Sequence, residues 1–219
     1  MHKNVKLLGI IVVIAIFLCG FAVFQYNSRS LNIFEPTKTV KVKSSKKVPK
    51  KKEKKFLLYK DPSDIEKEGT WKKKSEKKTQ PNLATVKDLW IRVSLKGNRT
   101  YIMSGNKPIY TMLSTAGRFN KSGKSDTPVG TYHIEAEKGQ AFFNQKLGEG
   151  ALNYVSWHKH GIYLFHSVPT KKDKSINVKE ANKLGKTAAS HGCVRLSIPD
   201  SKWLMNNVPY GTKVVIKKY

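Results

Sequence analysis

Apolar and polar positions divide the chain into three stretches of different rhythm. Residues 7–24, "LLGIIVVIAIFLCGFAVF", form an apolar run without a single charge. As a helix at about 1.5 Å per residue they reach roughly 27 Å, close to the hydrocarbon thickness of a bilayer. Residues 25–82 show no sustained apolar period. From Leu83 onward, short apolar and β-branched runs alternate with turn residues. "LWIRVSL" (Leu89–Leu95) predicts a strand, "KGN" a turn into "TYIMS", and "SGNK" a second turn into "PIYTML". Asn and Gly supply the positive φ angles that such turns need. "TYHIEAE" predicts a further strand, and "NYVSW", "HKHG" and "IYLFH" predict a hairpin.

Two short helices complete the pattern. "VKEANKLG" should end at Gly185, and "SIPDSKWLMNN" should be capped by Ser197, with Pro199 in its first turn and Trp203 and Leu204 facing inward. "TKVVIKK" closes the chain as a strand. Many short strands and two small helices predict a mostly β domain of about 130 residues. The expected organisation is a short N-terminal segment at 1–6, a transmembrane anchor at 7–24, a linker at 25–82 and a folded domain at 83–219.

Charge sharpens that division. The chain carries a formal net charge of +27. Residues 25–80 hold 18 basic and 7 acidic side chains, and residues 87–219 hold 22 and 8. "KTVKVKSSKKVPKKKEKK" places ten lysines between Lys38 and Lys55 against one acid, Glu53. Such a run repels itself and has too little apolar surface to offset chain entropy, so a disordered basic linker is expected, with at most a helix over Ser63–Lys74. Anionic polymers or lipid headgroups are its natural partners. Nucleic acid is disfavoured, because no aromatics are interleaved for base stacking and an exported domain does not meet it. At 7–24, no small-x-small cleavage site follows, and bulky Leu18 precedes Cys19, so an uncleaved anchor is expected. The flanking lysines do not decide its orientation.

The chemistry concentrates in "SHGCVRL", Ser190–Leu196. The chain has two cysteines; with Cys19 in the apolar run, Cys193 has no partner in its own domain. A lone thiol can be a buried hydrophobe, but Ser190, His191, Gly192 and Arg195 surround it with small, polar or cationic groups that favour a thiolate nucleophile. Gly192 allows backbone N–H groups to converge on an oxyanion. Arg195 lies two residues on, on the same strand face, with a fork suited to a substrate carboxylate or amide. Among candidate bases, His133 reads as structural, and His158 and His160 as solvated turn residues. His166 reads either as a buried histidine or as a base held at a sheet edge. His158-x-His160 with His191-x-Cys193 contains enough ligands for zinc, but the spacing matches no closed zinc pattern.

"HS" at 166–167 followed by "SHGCVRL" resembles the L,D-transpeptidase catalytic domain, or YkuD domain. "LWIRVSLKGNRTYIMSGNKPIYTMLSTAG" and "TPVGTYHI" resemble that family's opening hairpin and Thr-Pro-x-Gly turn. The likeness spans roughly Leu89 to Tyr219. It implies a YkuD-like β-sandwich, with Cys193 as nucleophile, His166 as its proton acceptor and Ser167 as the residue whose carbonyl orients the imidazole. His191 and Gly192 would shape the oxyanion pocket, Ser190 would take the first position of the motif, and Arg195 would lie near the substrate. The 23 residues between His166 and Ser190 exceed the gap in many members and are expected to roof the cleft. The implied reaction is acyl transfer between peptidoglycan stem peptides through a cysteine thioester, with release of D-Ala and no cofactor or metal. That substrate would put the N-terminus inside the cell and the domain at the wall. An L,D-carboxypeptidase that uses water as acceptor, and a non-catalytic tether of membrane to wall, remain as alternatives.

Overall fold

The computed structural model describes residues 57–219. The anchor expected at 7–24 and the linker up to residue 56 lie outside these residues. Among the described residues, no helix is long and apolar enough to cross a membrane.

Among the described residues, nine strands form two sheets. β1 (Leu89–Ser94), β2 (Arg99–Ser104), β3 (Lys107–Leu113), β4 (Gly130–His133) and β9 (Lys213–Lys217) make a five-stranded sheet in the order β3-β2-β1-β9-β4. β5 (Lys138–Asn144), β6 (Glu149–His158), β7 (Tyr163–Ser167) and β8 (Val194–Leu196) make a four-stranded sheet in the order β5-β6-β7-β8. Most neighbours are antiparallel, but β1–β9 and β7–β8 are parallel. The helices are short: α1 (Val178–Ala181) and α2 (Ile198–Asn207).

The side-chain period of two explains the core. Ile91 sits in register with Ile102 on one side and Val214 on the other, and all three are buried. In the second sheet Phe165 is flanked by Val155 and Val194, which forms a matching buried row. These rows belong to one apolar cluster with Trp157, Tyr110 and Leu204 of α2. The predicted hairpins, both helices and the closing strand are present. Ser197 caps α2 by accepting from the Asp200 N–H, and Asn98 and Gly105 take the positive φ angles at the two tight turns. β5 is an addition to the predicted set. "KGQAFFN" has a glycine at its second position and holds several exposed positions, so its period is weak in the sequence.

The linker boundary at residue 82 is corrected by the structure. Residues 57–82 form a strap folded onto the domain, and Ser63–Lys74 is a series of turns rather than a helix. Two polar anchors hold the strap. Arg99, 1% exposed, donates from Nε and Nη2 to both oxygens of Asp61 at 2.9 and 2.7 Å, and from Nη2 to Glu68 at 3.2 Å. Asp200, fully buried on α2, accepts from the Ser75 N–H and hydroxyl, Gln80 and Tyr110. Burial raises the Asp200 pKa, and these donors offset part of that effect.

The strap also solves an edge problem. β3 ends its sheet, so its outward N–H groups lack a strand partner. The Thr111 N–H donates to the Glu76 carboxylate, and the Leu113 N–H donates to Ser75 Oγ at 2.9 Å. Ile65 and Trp71 then pack against the small cluster of Leu113, Val168, Ala181 and Leu184. A few anchors among many lysines suffice because each meets a buried partner, and composition does not register such pairings.

A chain beginning at residue 83 would strip both carboxylates from Arg99 and uncover the β3 edge. Loss of the partners of one buried charge costs about 3–5 kcal/mol. For a domain of this size that lowers the melting temperature by roughly 6–20 °C relative to a chain beginning at residue 57. Thermal unfolding of the two chains checks this, and equal midpoints would show that the strap carries no load.

Candidate active site

The parallel pairing of β7 with β8 builds the site. His166 is in register with Arg195, and Phe165 with Val194. Successive residues of a strand point to opposite faces. Phe165 and Val194 point into the core, so Leu164, His166, Cys193 and Arg195 share the other face. All four line one groove of about 670 Å³, together with Phe142, Ile162, His191 and the turn Asn144–Leu147. The sulfur and the imidazole, 27 positions apart in sequence, thus come from adjacent strands into one cleft.

The orientation of His166 follows from one hydrogen bond. Its Nδ1 lies 2.6 Å from the Ser167 carbonyl oxygen. A carbonyl only accepts, so Nδ1 carries the proton, and in the neutral ring Nε2 is left with its lone pair. Phe142 packs edge-on against the ring at 5.4 Å and restricts its tilt. Ser167 is itself pinned, since its hydroxyl donates to the Val168 carbonyl and accepts the Leu152 N–H.

Cys193 is a partly buried free thiol whose Sγ lies 3.6 Å from the Ile162 carbonyl oxygen. Burial pushes its pKa up to about 11, against the opposing pull of the Leu164 backbone N–H and the Arg195 charge. Burial likewise drives the His166 pKa down to about 3; Arg195 adds to this, and the Ser167 carbonyl opposes it. Both shifts favour the uncharged forms. At neutral pH the resting pair is therefore a thiol and a neutral imidazole, not a preformed thiolate–imidazolium pair.

The loop before Cys193 is held from within. The Ser190 hydroxyl donates to the Cys193 carbonyl at 2.6 Å and accepts the Gly192 N–H at 3.1 Å. The Gly192 N–H is thus engaged inside the loop and is not itself a free oxyanion donor in this structure. Glycine is required here for another reason. Its φ is +137°, and a Cβ would come within 2.8 Å of the Tyr163 ring. Thr127, from the Thr-Pro-x-Gly turn, donates to the Gly192 carbonyl at 2.7 Å and accepts the Gly117 N–H at 2.7 Å. It ties the loop to the first sheet's connection.

Arg195 also differs from expectation. Its terminal nitrogens are engaged by Glu180 at 3.0 Å and Glu149 at 2.9 Å, so its fork is not open to a substrate carboxylate. His191 lies exposed at the rim, its Nδ1 3.9 Å from the same Glu149 oxygen. Sequence reading missed Glu149, Glu180 and the role of Thr127. Isolated acidic residues far from the motif gave no signal of the partner they meet. The zinc grouping weighed from sequence is not assembled. Among the described residues, the three-residue cluster with ligand-like spacing is Glu135, Glu137 and His160, which leaves out both His191 and Cys193. His133 is exposed, and His158 stacks on Trp157 and Tyr163.

The family model of the L,D-transpeptidase catalytic domain (YkuD) matches residues 88–216. The chain belongs to that family. It is 48% identical over 130 residues to "Putative L,D-transpeptidase YciB" of Bacillus subtilis (strain 168). That match covers 59% of this chain and 66% of the relative, just short of two thirds of its length. Among solved structures, an L,D-transpeptidase from Mycobacterium smegmatis aligns with a TM-score of 0.47 at 17% identity, covering 59% of this chain and 58% of that one. A fused Zn-dependent amidase/peptidase/peptidoglycan-binding protein from Clostridium acetobutylicum ATCC 824 aligns with a TM-score of 0.43 at 28% identity, covering 59% and 52%. The family assignment rests on the sequence match.

A neutral resting thiol has a kinetic signature. Alkylation of Cys193 by iodoacetamide should rise about tenfold per pH unit from pH 7 to 10, because only the thiolate reacts. Its midpoint should lie above that of the urea-unfolded chain, whose cysteines titrate near pH ~8.5. A rate already flat at pH 7 would mean that the thiol is ionised at rest.

Proposed function

We propose that this chain is a cysteine-dependent L,D-transpeptidase that cross-links peptidoglycan stem peptides, held at the outer face of the cell membrane by residues 7–24. The observation that carries the reading is the shared groove face of Cys193 and His166, with the imidazole's Nδ1 locked on the Ser167 carbonyl. Family membership supports the reaction class and the peptidoglycan substrate.

The steps follow from the neutral pair. As Sγ attacks the carbonyl carbon of the third stem residue, its proton passes to His166 Nε2, forming the C–S bond and an oxyanion. The oxyanion then collapses, the C–N bond to D-Ala breaks, and the departing amine takes the proton from His166. A thioester remains. An amine of a second stem attacks it, gives its proton to His166, and expels the sulfur, which regains a proton from the imidazolium. One acyl group moves, and the energy of the broken amide is carried in the thioester. Transient thiolate and imidazolium are disfavoured in the resting groove, so both must be stabilised as substrate fills it; that arrangement restrains the idle thiol.

The rim suits a peptide. Phe143, Leu147 and Ile162 are exposed apolar side chains beside the polar Asn144, Gln145 and Lys146. The Lys-rich run at 38–55 would lie between membrane and wall, where its charge favours anionic polymers.

Incubation of the protein with tetrapeptide muropeptides tests the reading. Cross-linked dimer and free D-Ala are expected; tripeptide without dimer would make it a carboxypeptidase instead. Cys193→Ala should abolish both products, and His166→Ala should slow them by about 10²–10⁴-fold. Wall binding that persists in Cys193→Ala, together with wild-type protein that releases no D-Ala, would favour a tether. A carbapenem should add mass only to the peptide containing Cys193.

A further inference from the structure

The long connection from β7 to β8 places a second carboxylate on Arg195. Residues 168–189 leave the end of β7, form α1 and return to the Ser190 loop. Asn177 caps α1, and α1 presents Glu180, whose Oε2 meets Arg195 Nη1 at 3.0 Å. From the start of β6, Glu149 Oε2 meets Arg195 Nη2 at 2.9 Å. Arg195 is 2% exposed, and its Nε has no hydrogen-bond partner. A guanidinium so buried is tolerated only when paired, and here the pairing comes from two separate elements. Arg195 is the register partner of His166 and stands two residues from Cys193 on the same face.

We propose that Glu149 and Glu180 are positioning residues for the Cys193–His166 pair: together they hold Arg195 as a fixed, charge-balanced floor to the groove, and α1 serves to deliver Glu180. This deepens the reading of Cys193 and His166 as the reacting pair and rests on it. The charges that face this floor are known from each neighbouring element. They are Glu149 on β6, His166 on β7, Glu180 with its partner Lys183 at 2.6 Å, His191 on the loop and Lys146 on the β5–β6 turn. Lys183 and Arg195 outweigh the effect of burial on Glu180 and keep its pKa below the ordinary carboxylate value. Glu180 is therefore ionised near neutrality. Without its two counter-charges, Arg195 would act on its neighbours as a bare cation. It would stabilise a thiolate at Cys193 and further discourage a proton on His166, leaving a more acidic nucleophile beside a poorer base.

The test reads the thiol directly, without any wall substrate, so its failure is separable from failure of the proposed reaction. In the full chain, iodoacetamide labelling of the Cys193 peptide is followed against pH by mass spectrometry, which sets Cys19 aside. Glu149→Gln and Glu180→Gln each remove one negative charge with little change of shape. Each should displace the profile to lower pH by about 0.5 unit, seen as roughly threefold faster labelling at pH 8. With stem peptides, the same variants should lower kcat with KM unchanged. A lowered kcat with an unmoved labelling profile would reduce the two glutamates to ordinary structural groups and overturn the proposal, as would displacement to higher pH. If either variant does not fold, the combined variant Glu149→Leu, Glu180→Leu, Arg195→Met removes the whole network rather than stranding a charge. Arg195, the nearest of the three charges, still pulls the Cys193 pKa down in the paired state, so its loss should move the profile to higher pH than the wild type, and a coincident or lower profile overturns the proposal.

Discussion

The parallel register of β7 and β8 is the constraint on which the site depends. One residue of slip would turn His166 or Cys193 from the groove into the core, because the side-chain period of a strand is two. The register is held by what lies on the other face. Phe165 fits between Val155 and Val194, and all three are buried in the main cluster. The apolar side of two strands therefore sets the geometry of the chemical side. Parallel strands also cannot be joined by a tight turn and need a crossover of a dozen or more residues. Residues 168–193 are that crossover, and they carry α1 and Glu180 to the floor of the groove.

The electrostatics have a similar economy. Burial makes His166 and Cys193 neutral at rest, so the groove carries no exposed thiolate at neutral pH. A neutral imidazole with Nδ1 protonated on the Ser167 carbonyl is already the tautomer that a general base needs. The Ser190 hydroxyl holds the motif loop, Thr127 ties the loop to the connection at Gly117, and the Gly192 backbone makes room for Tyr163. Most of the motif's residues thus position the sulfur rather than touch a substrate.

The strap shows the same preference for a few buried polar contacts over broad apolar packing. Residues 57–82 carry many lysines, yet Asp61, Glu68, Ser75 and Glu76 each meet a buried group or an open strand edge. Asp200 links strap to helix and Arg99 links strap to β2, so the folded unit begins well before the matched family region at residue 88.

Much of this was legible in the residues alone. Strand periodicity, the Asn98 turn, the Ser197 cap and the adjacency of Ser190, His191, Gly192 and Cys193 are local properties, decided within a few positions by dihedral preference and spacing. The identity of the candidate nucleophile and of its base came from residue type and motif. Only tertiary structure decided that Arg195 is enclosed by Glu149 and Glu180, that the Gly192 N–H turns inward, and that a lysine-rich segment is folded. Each of these depends on a pairing between residues tens of positions apart. The free energy of such a contact comes from the burial of its partner, and burial is not a property of any local stretch of sequence.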